Sequence, residues 1–271
     1  MDKIPVLWPK VQSFIKRECG VVLSDDQHYL MDARLGPVAR EFRSPSLDAF
    51  IEGACSAPPS TPQARAVIDA MTTHESLFFR DQQFWKILEE QIMPALLAGA
   101  AGRPLRFWSA ACSHGQEPYS LAMLLEEKWP EVARTAEIIG SDVSLAAVER
   151  AKEGIFTPLE VNRGLGAARL VRHFQQEPGG MRVKKPLRAR ITFTAHNLLG
   201  PQPTPKNCDV VLCRNVLIYF DDLSRKSVVD HFYNALNPGG YIFLGHSESI
   251  GRVTSAFTLK KFENHLVYVK E

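Results

Sequence analysis

The stretch from Leu105 to Met123, LRFWSAACSHGQEPYSLAM, restricts the possible folds more than any other part of the chain. Leu105 to Trp108 is apolar at alternate positions, the pattern of a short strand. Ser109, Ala110, Ala111, Ser113 and Gly115 follow, all small enough to let a ligand approach the backbone. Pro118 suits the first turn of a helix, where no N–H is needed, and Tyr119, Leu121, Ala122 and Leu125 recur at helical spacing. In an α/β sheet such a strand, turn and helix place a ligand at the helix N-terminus, beyond the carboxyl edge of the strand.

Glu117 occupies that helix start. An acid there repels a pyrophosphate and attracts an ammonium group or a ribose hydroxyl. A cofactor with a positive end fits this chemistry, and S-adenosylmethionine (SAM) is the expected one. Three further blocks extend the pattern. Ala136–Val143 reads as a second strand closing on Asp142, with a helix from about Ser144 to Lys152. An acid ending the second strand of a Rossmann-like sheet usually bonds a ribose. Cys208–Phe220 is an almost unbroken apolar run, as for a strand buried on both faces, interrupted by Arg214 and Asn215. Asn237–His246 is a turn feeding another buried strand.

The first eighty residues read as helical. Trp8, Val11, Phe14 and Ile15 share one face of a first helix that Gly20 ends. Ser24–Gln27 has the spacing of a capping box before Tyr29, Leu30, Ala33, Leu35 and Val38. Ser46–Cys55 and Ala64–Met71 form two more helices around the Pro-rich loop 57–62, and a longer helix covers about Phe84 to Gly99. Pro178-Gly179-Gly180 is a turn, with β-prone Met181–Lys184 and Arg190–Thr194 after it, so a hairpin inserted into the sheet's connections is expected. Leu266–Lys270 is a last strand. The expected organisation is an N-terminal helical domain over 1–82 and an α/β domain over 83–271, with an antiparallel β insertion at about 170–195.

Five cysteines (Cys19, Cys55, Cys112, Cys208, Cys213) without CxxC spacing point to reduced thiols in a cytoplasm. His114, His196 and His246 lack ligand spacing, so no metal is expected. No apolar run approaches the ~20 residues of a membrane span. Between Glu160 and Ala195 stand eight basic residues (Arg163, Arg169, Arg172, Arg182, Lys184, Lys185, Arg188, Arg190) against two acids. That cluster reads either as a solvated face or as a contact surface for an acidic partner. No nucleic-acid module accompanies it, and no nucleic-acid partner is expected.

Thr73–Arg80 (THESLFFR), Ser109–Ser120, Cys213–Phe220 (CRNVLIYF) and Gly245–Glu248 (GHSE) resemble, in this order, blocks of the bacterial chemotaxis receptor glutamate methyltransferases, the CheR family. The resemblance covers about residues 10 to 271. It implies a Rossmann-like SAM-dependent methyltransferase sheet behind a small all-helical domain. The implied reaction transfers a methyl group from SAM to glutamate side chains on acidic cytoplasmic helices of chemoreceptors, with S-adenosylhomocysteine (SAH) as product. Position by position it implies Glu117 at the cofactor's amino-acid end, Asp142 on the ribose, Asn197 and Leu198 at the adenine, and Asn215 and Val216 at the sulfur. His74, Ser76 and Arg80 match a loop that closes over the cofactor, with His74 where the best-known members carry Asn and Ser76 where they carry Thr. Arg80 and Tyr219 are the candidates for roles in catalysis.

Other readings of these residues stay open at this level. Glu117 could be a first-turn helix acid, Asp142 a helix cap, Asn215 a strand end, and Tyr219 a packing residue. A SAM- or SAH-binding scaffold without catalysis, or a methyltransferase for another substrate, would use the same set. Arg34, Arg40 and Arg43 are expected on a basic face that receives the substrate helix. The short 175–180 connection leads us to expect no dependence on a receptor C-terminal pentapeptide held by strand addition.

Overall fold

The computed structural model describes residues 4–262 and 265–271. Four helices open the chain: α1 Trp8–Cys19, α2 Gly36–Glu41, α3 Leu47–Ser56 and α4 Pro62–Met71. Ser46 caps α3 and Thr61 caps α4, each side-chain oxygen accepting from the N–H three residues on. Trp8, Val11, Phe14 and Ile15 are buried together with residues of the other three helices in one apolar cluster. Gly20 ends α1 at φ 76°, and a Cβ there would stand 2.3 Å from Leu199, so this position needs glycine for both conformation and space.

The helix expected from Ser24 to Val38 is broken. Ser24 does donate its N–H to Gln27 Oε1 at 3.0 Å, but only a single 3₁₀ turn follows, then a π turn over Met31–Leu35, then α2. Pro37 has no N–H for an i−4 carbonyl, and the wide turn before it absorbs the mismatch. Tyr29 is 60% exposed rather than on the apolar face. The same device recurs after α5 (Gln82–Ile87): a π turn at Leu88–Ile92 leads to α6 (Met93–Ala100), which carries Pro94 in its first turn.

Among the described residues ten strands follow: β1 Arg106–Ala110, β2 Glu137–Asp142, β3 Ile155–Phe156, β4 Phe174–Glu177, β5 Gly180–Val183, β6 Ile191–Ala195, β7 Cys208–Cys213, β8 Leu236–Leu244, β9 Thr258–Phe262 and β10 His265–Val269. Seven make one sheet in the order β6-β2-β1-β7-β8-β10-β9. The first five in that order run parallel, β10 runs against β8, and β9 pairs antiparallel with β10. This is a Rossmann-like α/β sheet. The helices α7 (Gln116–Lys128), α8 (Pro130–Thr135) and α9 (Leu145–Glu153) connect β1 to β2 and follow β2.

The second sheet has the order β3-β5-β4. Its hairpin is β4–β5 around Pro178-Gly179, so the partner of the 181–183 strand is Phe174–Glu177, and the small sheet spans 155–183 rather than 170–195. Ile191–Ala195 pairs in parallel with β2 at the edge of the large sheet. As an edge strand it buries alternate residues, Ile191 and Phe193, and so carries the same period-two pattern as a hairpin strand.

Strand register brings the site together. Ala110 lies opposite Ser141, Asp142 opposite Ala195, and Cys213 opposite Leu244. The residues that follow each of these strands therefore emerge at one edge of the sheet. β1 and β7 are neighbours whose connections leave in opposite directions, which makes their carboxyl ends the switch point where an α/β sheet opens a crevice.

Candidate active site

The crevice is lined by Thr72–Leu77 and Arg80, the turn Ala111–Ser113, Glu117, Asp142, Val143, His196–Leu198, Arg214–Val216, Tyr219 and Phe220, and on the helical side by Val21–Leu23, Tyr29, Arg34 and Met71. All ten candidate residues, His74, Ser76, Arg80, Glu117, Asp142, Asn197, Leu198, Asn215, Val216 and Tyr219, border this one cavity.

Asp142 ends β2 and is 5% exposed. Its Oδ2 accepts the Ser113 N–H at 2.8 Å and its Oδ1 the Ser144 N–H at 3.0 Å. Burial pushes its carboxyl up, against the His74 ring and these two N–H donors. Asp142 thus both ties down the small-residue turn, where Ala111 and Ser113 sit at φ 58° and 54°, and supports the start of α9. Carboxylate oxygens have further lone pairs to accept hydroxyls from the crevice.

Glu117 lies in the first turn of α7, but its side chain turns back to β1 and β7. Oε1 accepts the Ser109 hydroxyl at 2.7 Å, and Oε2 meets Arg214 Nη1 at 3.1 Å. Arg214 itself was given no role from sequence. Its signal was there: a cation at the end of an otherwise apolar buried run is rarely left without partners.

The segment Thr72–Asp81 crosses the mouth. Phe78 is fully buried against Phe156 and Phe174 of the small sheet, edge to face at 4.9 and 5.6 Å. The Phe79 N–H donates to Ser120 Oγ at 2.9 Å, and Arg169 stacks on its ring at 3.6 Å. Two aromatic anchors therefore hold the turn carrying Arg80. The Arg80 guanidinium donates to the Glu75 carbonyl at 3.2 Å and has no carboxylate partner among the described residues. His74 Nε2 pairs with Thr72 Oγ1 at 2.9 Å, and its ring lies 5.4 Å from that of His114.

Asn197 is differently engaged from expectation. Its amide nitrogen donates to the Glu18 carbonyl of α1 at 2.5 Å, and its Oδ1 accepts the Leu199 N–H at 3.0 Å. The side chain joins the helical unit to the sheet. Asn197 and Leu198 both line the crevice.

The loop after β7 is held by Glu248, which sequence left without a role. Its carboxylate accepts four backbone N–H groups: Gly245 at 2.6 Å, Asn215 at 2.7 Å, Val216 at 2.8 Å and Ile218 at 3.3 Å. Asn215 stands at φ 62° in this loop, a conformation asparagine tolerates better than most.

The basic cluster is largely spoken for. Arg169 forks onto Glu127, Arg182 pairs with Glu177, Arg163 and Arg172 approach Glu75 and Glu126, and Lys184, Arg188 and Arg190 donate to backbone carbonyls. Most of these side chains therefore tie the 160–190 segment to α7 and its neighbours, while Arg163, Arg172 and Lys185 stay exposed. Arg34 is likewise turned inward, donating to the carbonyls of Ala70 and Thr72 at the end of α4, so it does not share an exposed face with Arg40 and Arg43.

Buried histidines and a paired aspartate lead us to expect an acid response. His114 is held at about 4 by burial and by Arg150, and burial also lowers His173 and His196. Asp221 is held at about 2 by Lys16, its α1 partner, and by Ser224. In each case the unfolded chain takes up its proton first as pH falls, from about 6.5 for histidine and about 3.9 for aspartate. Urea midpoints should therefore be flat only between about pH 6.5 and 8, drift down below that as the histidines' contribution is lost, and fall further below about pH 4; above about pH 8.5 they should fall again, because burial raises the cysteine thiols. A constant midpoint from pH 7 to pH 3 would contradict these assignments.

The comparisons with known proteins agree on the chemistry. Residues 74–266 match the family model described as CheR methyltransferase, SAM binding domain. The chain belongs to the CheR methyltransferase family. It is 34% identical over 260 residues to "Chemotaxis protein methyltransferase Cher2" of Pseudomonas putida, covering 94% of each protein. It is equally 34% identical over 94% of both chains to "Chemotaxis protein methyltransferase 1" of Pseudomonas aeruginosa. This CheR family member is a SAM-dependent methyltransferase, and SAM is its cofactor. The crevice fits that group: acids at Glu117 and Asp142, a guanidinium at Arg80, and apolar lining from Leu198, Val143 and Met71. All five cysteines are free and buried, and among the described residues no helix is long and apolar enough to cross a membrane.

Proposed function

We propose that this CheR protein esterifies glutamate side chains on the acidic cytoplasmic helices of chemoreceptors, giving glutamyl methyl esters and SAH, for adaptation in chemotaxis-type signalling. The observation that carries the reading is Arg80, a half-buried guanidinium with no carboxylate partner among the described residues, on the crevice that also holds Glu117, Asp142 and Tyr219. Bound SAM supplies the methyl group on a cationic sulfur. Glu117 would hold its ammonium end and Asp142 its ribose hydroxyls, with the backbone of Asn197–Leu198 at the adenine and Asn215–Val216 toward the sulfur. His74 and Ser76 would close over the cofactor.

A glutamate acceptor is already ionised at neutral pH, with an ordinary pKa of about 4.3, so no general base is needed. Opposite charges meet and disappear in the transition state. The residues' task is then to exclude water and to align the acceptor oxygen. Arg80 can hold that carboxylate or the cofactor's own, and Tyr219 lines the same crevice. The reading puts the enzyme on the cytoplasmic side of the membrane that carries its receptor.

Transfer of labelled methyl groups from SAM to receptor-containing membranes, as base-labile ester, tests this directly. Binding of SAH without any transfer would leave a SAM-binding scaffold, and label in another bond would assign a different acceptor. Arg80→Lys keeps charge and loses the planar fork. It should lower the methylation rate at least ~10-fold, the equivalent of about 1.4 kcal/mol, with a smaller change in SAH affinity. Wild-type turnover in Arg80→Lys would remove the positioning role.

We also propose that the enzyme acts without a tethering receptor pentapeptide. The β4–β5 turn is only Pro178-Gly179, which gives a peptide strand little to grip beyond the edge of β4. Micromolar binding of free receptor C-terminal peptides at residues 175–190 would overturn this.

A further inference from the structure

Arg214 leaves the carboxyl end of β7 into a nearly dry environment; its side chain is 3% exposed. Its Nη1 meets Glu117 Oε2 at 3.1 Å. Its Nη2 donates to the Arg80 carbonyl at 2.9 Å and lies 3.4 Å from Asp81 Oδ2. The guanidinium sits over the face of Phe84, 4.2 Å from the ring centroid. One planar group thus touches helix α7, the Arg80 turn and the start of α5.

We infer that Arg214 is a positioning residue that locks the cofactor acid Glu117 and the Arg80 turn into a single arrangement. The inference rests on the proposal that Glu117 holds the cofactor's amino-acid end. Two observations support it. Phe79 and Asp81, on either side of Arg80, stand at φ 49° and 65°, a strained turn that persists only when its surroundings over-determine it. The Arg214 bond to the carbonyl between them is such a constraint. Second, Glu117 and Asp81 both reach this desolvated spot, and without a cation between them two carboxylates would repel. His265 Nε2 meets the same Asp81 oxygen at 2.9 Å, and Arg214 is the group that faces both acids. Lysine carries one ammonium point and cannot bond Glu117 and the Arg80 carbonyl in the same plane.

The test uses the full chain and calorimetric titration with SAH, alongside KM for SAM and kcat on receptor-containing membranes. The variants are Arg214→Lys, Arg214→Gln, Glu117→Gln and the Arg214→Gln/Glu117→Gln double. Arg214→Gln should weaken SAH binding at least tenfold and raise KM by a similar factor, with kcat changed less. Arg214→Lys, the milder variant should Arg214→Gln not fold, should recover only part of the loss. The double variant should lose far less than the product of the two singles, because both act through one arrangement. Wild-type affinity in Arg214→Lys, or losses that multiply, would overturn the inference. If Glu117→Gln and Asp142→Ala also bind SAH as wild type, the cofactor placement itself falls, and this role with it.

Discussion

Glu248→Ala should be among the most damaging single substitutions outside the cofactor-lining residues. The carboxylate is 7% exposed and gathers the N–H groups of Gly245, Asn215, Val216 and Ile218. Hydrogen bonds to a charged acceptor contribute roughly 1.5–3 kcal/mol each, and buried N–H groups left alone cost about 1–3 kcal/mol. Water entering from the crevice would satisfy some of the four. A net loss of about 3–5 kcal/mol is expected, comparable with breaking other buried charged networks. At about 2–4 °C per kcal/mol for a chain of this size, the melting temperature should drop by roughly 10 °C. SAH affinity should fall as well, because the freed loop carries Asn215 and Val216. Glu248→Gln keeps the shape but turns an NH₂ toward donors, so it should give an intermediate loss. A Glu248→Ala protein that melts within about 2 °C of wild type and binds SAH normally would show that the loop holds itself.

Asp142→Ala is expected to weaken SAH binding by roughly 10- to 100-fold, the equivalent of about 1.5–3 kcal/mol for one hydrogen bond to a charged group. The structure adds a second consequence. The same substitution strands the N–H groups of Ser113 and Ser144, so the small-residue turn loosens together with the start of α9. Asp142→Asn separates the two effects: one acceptor oxygen remains for a backbone N–H, while the charge and the other oxygen are lost. It should therefore keep most of the stability and still bind SAH poorly. Calorimetry and thermal melts on both variants decide the matter. Unchanged SAH affinity in Asp142→Ala would remove Asp142 from the cofactor site.

How far the site was legible depended on how local its signals were. The turn at 109–115, the acid ending β2 and the Arg-Asn ending β7 are all carried by residues next to one another, and their order along a βαβ chain predicts that they meet at one edge. The partners of those residues were not legible. Ser109 and Arg214 converge on Glu117 from strands β1 and β7, whose pairing is set by the sheet's order and not by sequence distance. Glu248 is thirty-three positions from Asn215, across two further elements. The pairing within the 160–195 basic run was hidden for the same reason: its counter-ions, Glu126 and Glu127 among them, lie on α7, remote in sequence and adjacent in space.

What the sequence by itself determined was the alternation of strands and helices, three of the four opening helices, and the small-residue turn with its acids, because periodicity, caps and glycine or proline positions act over a few residues. Tertiary structure alone decided which strand Ile191–Ala195 joined, that Tyr29 leaves the apolar core for the crevice, that the Asn197 amide binds α1, and that Arg214 and Glu248 hold the site together. Those outcomes depend on which buried polar group finds a partner once water is excluded, and the partner comes from a distant element that only the packed chain brings within reach.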